Sequence, residues 1–160
     1  MSQNRTLTPD LKVAPRTPGG GRHRQVLVKK AKAAISDGSH SFAMASSLFG
    51  VITRERVWLL YSWCRRCDDL VDGQDMGGEL GDQANIEDRV QAVRVLTRRA
   101  LEGQPTADPA FDALGVVAAE CNLTKDMTHD VIAGFAMDAA EFQPRGKKDV
   151  LRYCYHVAGA

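Results

Sequence analysis

Tyr61-Ser62-Trp63-Cys64-Arg65-Arg66-Cys67-Asp68-Asp69-Leu70-Val71-Asp72 sets acids and arginines into an otherwise apolar helical pattern. From 57 to 71 apolar residues recur often enough to bury a helix on several sides. At about 100° per residue, Val57, Leu60, Cys64, Cys67 and Val71 share a sector roughly 80° wide. Tyr61, Arg65, Asp68 and Asp72 share an adjoining sector roughly 60° wide. A phenol, a guanidinium and two carboxylates thus line up beside the expected core stripe. Ionised groups there are costly unless they are paired, metal-bound or wetted by a cavity. The pattern reads as a site on an all-α protein.

Asp68 and Asp72 stand one turn apart, about 6 Å along the axis, and Asp69 lies on the flank. Helix-borne carboxylates suit Mg²⁺ or Mn²⁺, which take one or two such ligands and complete their shell with water and phosphate oxygens. Arg65 is spaced to pair with the acids when the site is empty and to meet a phosphate when it is full. The plain alternative is a solvated acidic helix end with an ordinary Arg–Asp pair.

Outward from this segment, helical periodicity continues. Residues 1–21 hold Pro9, Pro15, Pro18 and a Gly19-Gly20-Gly21 run and are expected to be a disordered arm, leaving 22–160 as the folded part. A basic amphipathic helix is expected over 22–36, with Val26, Leu27, Ala31, Ala34 and Ile35 inward, broken at Asp37-Gly38. A short helix over 41–49 follows. The acid-bearing helix should run over 53–72, with Thr53 as N-cap and Gly73 in the C′ position, before a loop at 73–84. Further helices are expected over 85–102, from Asp108-Pro109 to about 121, and from Thr124 to about 140. A last helix, opening at Lys148 or Asp149, should turn Val150, Leu151, Tyr153, Tyr155, Val157 and Ala158 toward a core. No strand pattern competes.

The chain has 160 residues, 44% of them hydrophobic, with 21 basic against 20 acidic side chains. That balance offers no basic footprint for nucleic acid. No run approaches the roughly 20 apolar residues of a transmembrane helix, and residues 1–24 lack the apolar stretch of a secretory signal. With 4 unevenly spaced cysteines, this supports an expectation of a cytoplasmic protein with reduced thiols. Cys64-x-x-Cys67 lies on the apolar stripe and reads as small buried side chains rather than a zinc or redox pair.

The acidic segment resembles the first aspartate-rich motif of the squalene/phytoene synthase family. Ser39-His40-Ser41-Phe42-Ala43-Met44-Ala45-Ser46-Ser47-Leu48-Phe49 looks like that family's upstream S-x-S-F block. Gly134-Phe135-Ala136-Met137-Asp138 and Leu151-Arg152-Tyr153-Cys154-Tyr155-His156-Val157-Ala158-Gly159 match two more blocks in order. Together they span residues 39–159, and the whole looks most like the bacterial phytoene synthases. The resemblance implies an isoprenoid-synthase-type helical bundle, here apparently its first half, because the family's second aspartate-rich motif is not among these residues. It implies head-to-head condensation of two geranylgeranyl diphosphates, through prephytoene diphosphate, to phytoene.

By that resemblance Asp68, Asp72, Tyr61 and Arg65 carry the chemistry, and Asp68, Asp69 and Asp72 hold Mg²⁺ or Mn²⁺. Gly38, Ser39, His40, Ser41 and Phe42, with Tyr61 and Arg65, bind the prenyl diphosphate. Ser39 and Ser41 taken alone read more readily as helix caps. Small residues such as Ala43, Ala45 and Gly134 either leave room for prenyl tails or simply allow close helix packing. Asp138 is expected to border the cavity, and one aromatic among Tyr153, Tyr155 and His156 to line it. A long-chain lipid substrate and product add an expectation of peripheral membrane contact; nothing bears on oligomeric state. Two other readings remain: a squalene- or hydroxysqualene-type synthase acting on farnesyl diphosphate, and a non-catalytic remnant or interaction module. The 160 residues alone are expected to be inactive.

Overall fold

The computed structural model describes residues 16–73 and 84–160, and every regular element among them is helical. A short turn, Pro18–Gly21, precedes α1 (Arg24–Gly38), α2 (His40–Ser46), α3 (Val51–Asp72), α4 (Ala84–Leu101), α5 (Pro109–Cys121), α6 (Lys125–Ala139) and α7 (Lys147–Cys154). A widened final turn, Tyr155–Gly159, follows.

α5 sits at the centre. Residues 111–118 are all buried, and a helix apolar on nearly every side can be satisfied only when neighbours surround it. α1, α3, α4 and the Pro18–Gly21 turn pack around it. The core joins Leu27 and Ala31 of α1, Leu59, Trp63 and Cys67 of α3, and Val93 of α4 to Phe111 and Leu114 of α5. Gly115 lets α4 and the turn come close, since a Cβ there would lie 2.8 Å from the Ala100 carbonyl oxygen and 3.1 Å from the Gly19 nitrogen.

One polar side chain is fully buried within this helix. Asp112, 2% exposed, accepts from Arg22 Nε at 2.8 Å, from the Thr106 amide at 3.1 Å and from the Thr106 hydroxyl at 2.7 Å. A second cluster sits where three helices meet: Arg24 of α1 pairs with Glu55 of α3 and Glu120 of α5, and Arg56 reaches Glu120 at 2.9 Å. The hydrogen bond from Arg24 holds the Glu120 carboxyl below its ordinary value, with Arg56 adding to the effect. A depressed carboxylate contributes stability above its unfolded value of 4.5, and that contribution is lost as pH falls through the folded value. Thermal unfolding across that acid range should therefore show a falling midpoint, and Glu120→Gln should flatten the dependence.

Helix ends follow their chemistry. Asp108 caps α5 by accepting from the Ala110 amide, Thr124 caps α6 by accepting from the Met127 amide, and Gly73 closes α3 at φ +72°. Several expectations shift. α3 opens at Val51 with Gly50 as its N-cap rather than at Thr53. α1 runs through Asp37 to Gly38, and Val28 replaces the half-exposed Val26 among its inward residues. Residues 18–21 are not part of a free arm: the Thr17 amide donates to the Gly103 carbonyl at 2.9 Å, and Gly19 is buried. Residues 1–15, and the loop expected at 73–84 apart from Gly73 and Ala84, lie outside the described residues.

The last segment departs most. Val150, Leu151, Tyr155 and Val157 are 43–59% exposed, so they do not reach the core formed by α1 to α6. The terminal turn docks on α6 instead, by close backbone approach at Gly134 and through Tyr155 and His156 at Asp130. A Cβ on Gly134 would lie 2.3 Å from the His156 carbonyl oxygen, so the small residue there admits a neighbouring backbone rather than a ligand tail. Gly134→Ala should displace residues 155–159, and hydrogen exchange should show their amide protection falling while α5 keeps its own.

Candidate active-site groove

α3 carries the site because its core stripe is rotated from the expected one. Leu59, Trp63, Cys67 and Val71, spaced by four, are buried, while Val57, Leu60 and Cys64 are only partly so. Trp63 outweighs the smaller cysteine in apolar area, and its Nε1 donates to Thr97 on α4 at 3.3 Å. The rotation turns Tyr61, Cys64, Arg65 and Asp68 into a groove of about 300 Å³, shared with Ser39, Phe42 and Phe135.

Ser39 stands at the α1–α2 junction, in extended backbone, and its hydroxyl accepts from the Phe42 amide at 3.4 Å. Ser41 Oγ lies 3.3 Å from Ser39 Oγ, so the two hydroxyls form a small polar step at the groove edge. Gly38 is not among the residues lining the groove. It seats Tyr61, because a Cβ at Gly38 would lie 2.6 Å from the tyrosine hydroxyl oxygen. The Tyr61 and Phe42 rings lie 5.9 Å apart and tilted by 42°. His40 is exposed and outside the lining.

Arg65 is held by acids on its own helix: Nη1 lies 3.3 Å from Asp68 and Nη2 lies 2.9 Å from Asp69. The guanidinium therefore reaches both faces of α3. Asp68 lines the groove, whereas Asp69 lines a separate cavity of about 310 Å³ with Lys30, Ser62, Arg66 and Asp108. There Arg66 Nε of α3 pairs at 2.7 Å with Asp108, the N-cap of α5. Asp72 is partly buried and lines neither space. Among the described residues, no three His, Cys, Asp or Glu side chains come together as a ready-made metal cluster.

Electrostatically the groove is acidic. Burial raises the Asp68 carboxyl above its ordinary 3.8, and the negative charges of Asp72, Asp69 and Asp138 push the same way against the opposing pull of Arg65. Asp138, on α6, thus acts on the groove from across it while accepting from the Tyr153 hydroxyl. The Tyr155 hydroxyl donates to Asp130 at 2.8 Å. The aromatic that lines the groove from this side is Phe135, not Tyr153, Tyr155 or His156. Phe135, inside the 134–138 block, is a groove residue that the block's pattern alone does not single out. Cys64 was assigned to the core, although three residues after Tyr61 and four before Asp68 it must lie between them. Its thiol is pushed up to about 12, first by burial, and Cys67 is raised in the same way, so neither is a ready thiolate. All four cysteines are unpaired with one another.

Comparison with known proteins identifies the family. The squalene/phytoene synthase family profile matches residues 35–160. The chain is 43% identical over 135 residues to a phytoene synthase of Pseudescherichia vulneris. It is 42% identical over 135 residues to a 15-cis-phytoene synthase of Pantoea ananas. Each alignment covers 83% of this chain and 44% of the relative, so the chain spans a little under half the length of the curated relatives it matches. Among solved structures it is similar to a dehydrosqualene synthase in complex with ligand, with a TM-score of 0.69 and 29% identity, over 85% of this chain and 44% of that one. The helical order, the groove built on α3 and these matches together place the chain in the squalene/phytoene synthase family.

Proposed function

We propose that these residues form the first-aspartate-motif side of a prenyltransferase that condenses two geranylgeranyl diphosphates head to head to phytoene. The observation that carries the proposal is the groove itself, where a guanidinium, a phenol, two hydroxyls and an acidic carboxylate meet aromatic walls. An allylic diphosphate has the same two halves: a highly charged head and an apolar tail.

Breaking the first carbon–oxygen bond leaves an allylic cation and diphosphate. Attack on that cation by the allylic double bond of the second diphosphate, then ring closure with loss of a proton, gives prephytoene diphosphate; loss of its diphosphate, rearrangement and loss of another proton give phytoene. Arg65 exchanges its intrahelical acids for diphosphate oxygens, which its planar fork matches in pairs. The Tyr61 hydroxyl, seated over Gly38, donates to the same head group, and the Ser39 and Ser41 hydroxyls border it. Phe42, Cys64 and Phe135 exclude water from the cation and contribute no group that would trap it.

Asp68 and Asp72 offer hard oxygen donors in a field already too negative, which fits Mg²⁺ or Mn²⁺; bound there, the ion supplies charge neutralisation of the leaving diphosphate. Asp69 faces away from the groove and would join such a set only by a rotamer change that releases Arg65.

A second reading, coupling of farnesyl diphosphate, is favoured by the likeness to a dehydrosqualene synthase. The 42–43% identity to phytoene synthases supports the longer substrate. The test is to incubate the full-length protein with Mg²⁺ and labelled C20 or C15 diphosphate. A C40 hydrocarbon from C20 supports the proposal, a C30 product from C15 alone replaces it, and no product from either favours a non-catalytic role. A polypeptide of these 160 residues by itself should give no measurable product in the same assay.

A further inference from the structure

At the end of α2 remote from the groove, the chain turns a corner into α3 and leaves large apolar side chains in solvent. Leu48 is 86% exposed, Met44 73%, Val51 63%, Ile52 61% and Phe49 47%. They fall within nine consecutive positions at one helix–helix junction, so they form one patch rather than scattered surface residues. Residues 38–53 contain no Asp, Glu, Lys or Arg. Cations stand at the edge. Trp58 tucks beneath the end of α2, its Nε1 donating to Ser46 at 2.9 Å. Lys32 Nζ lies 5.6 Å, and Arg54 Cζ 5.9 Å, from the centre of the Trp58 ring. The flanking acids in sequence do not answer that charge: Asp37 lies at the groove end of α2, about 10 Å of helix away, and Glu55 is held by Arg24.

We propose that this corner is a docking surface for an anionic lipid bilayer. An uncharged apolar tip, a tryptophan and a cationic rim are the composition that inserts into the headgroup boundary while its cations meet anionic lipid. A second copy of the chain would answer the apolar tip but bring like-charged rims together, whereas an anionic bilayer answers both. Among the described residues no helix is long and apolar enough to cross a membrane, so the contact is peripheral. The surface stands apart from the reaction proposed above, because vesicle binding is read without turnover.

The test is co-sedimentation of the purified protein with phosphatidylcholine vesicles, with and without phosphatidylglycerol. Binding should require the anionic lipid and weaken with added salt. Leu48→Ser with Ile52→Ser should weaken it about tenfold or more, and Lys32→Gln with Arg54→Gln roughly tenfold. Circular dichroism melts of both variants should match the parent; salt and lipid dependence of the parent protein serve as the test should either fail to fold. No binding to anionic vesicles, or binding that ignores the Leu48 and Ile52 substitutions, overturns the proposal. So does a dimer, seen by sedimentation velocity, that those two substitutions dissolve without affecting vesicle binding.

Discussion

Asp68→Asn in the intact enzyme is expected to lower product formation about a thousandfold while leaving the fold as stable as before or slightly more so. The two halves of that result come from one cause. Asp68 sits partly buried beside Asp72, and its carboxyl is raised above 3.8, so the fold disfavours its ionised form. A carboxylate whose folded pKa lies above its unfolded one costs stability at neutral pH, and a neutral amide removes that cost. On the proposed function, that cost is tolerated because the charge answers a cation on the leaving diphosphate. A side chain that merely paired with Arg65 would show the reverse, since its loss would leave the guanidinium with Asp69 alone and give no kinetic effect. Steady-state rates with saturating Mg²⁺, set beside thermal melts of the same samples, distinguish the two.

Asp112→Ala is expected to have the opposite profile: a large loss of stability with no role in the groove. Its carboxylate is buried inside the central helix and satisfied by Arg22 and Thr106. Removing it strands the buried Thr106 amide and takes the ion-pair partner from Arg22, while the Thr106 hydroxyl keeps the Asp108 carbonyl as acceptor; the cost is about 3 kcal/mol, which lowers the melting midpoint by roughly 10 °C. Asp112→Asn keeps the oxygen that faces Thr106 and loses the charge on Arg22, so its loss should be smaller. Equilibrium urea unfolding of the two variants checks the order. Equal effects would mean that the ion pair with Arg22 carries nearly all of the stabilisation.

Most of the helical frame was legible. Asp108, Thr124 and Gly73 are capping residues whose chemistry is local, and each stands at the end it signalled. The acid-bearing helix and the pairing of Arg65 with its acids were legible for the same reason: i to i+3 and i to i+4 neighbours are set by helix geometry alone. The N-terminus of α3 was not, because Val51 and Ile52 join the helix without a capping side chain to announce it. The terminal helix misled more seriously. Apolar content announces that a face can be buried, but Val150, Leu151 and Val157 stay 43–59% exposed among the described helices.

What the sequence determined by itself was therefore the local grammar: an all-α chain, its breaks and caps, and a tyrosine, an arginine and acids spaced along one helix. Its ordered motif blocks carried the family as well. Tertiary packing decided which way that helix turned. Burying Trp63 in place of Cys64 rotates α3 about its axis, sending Asp68 and Cys64 into the groove and Asp69 to the far side. It also decided what the small residues are for, since Gly38 makes room for the Tyr61 hydroxyl and Gly134 for the His156 carbonyl. Periodicity specifies angles around a helix; only the volumes of the neighbours fix where that set of angles points.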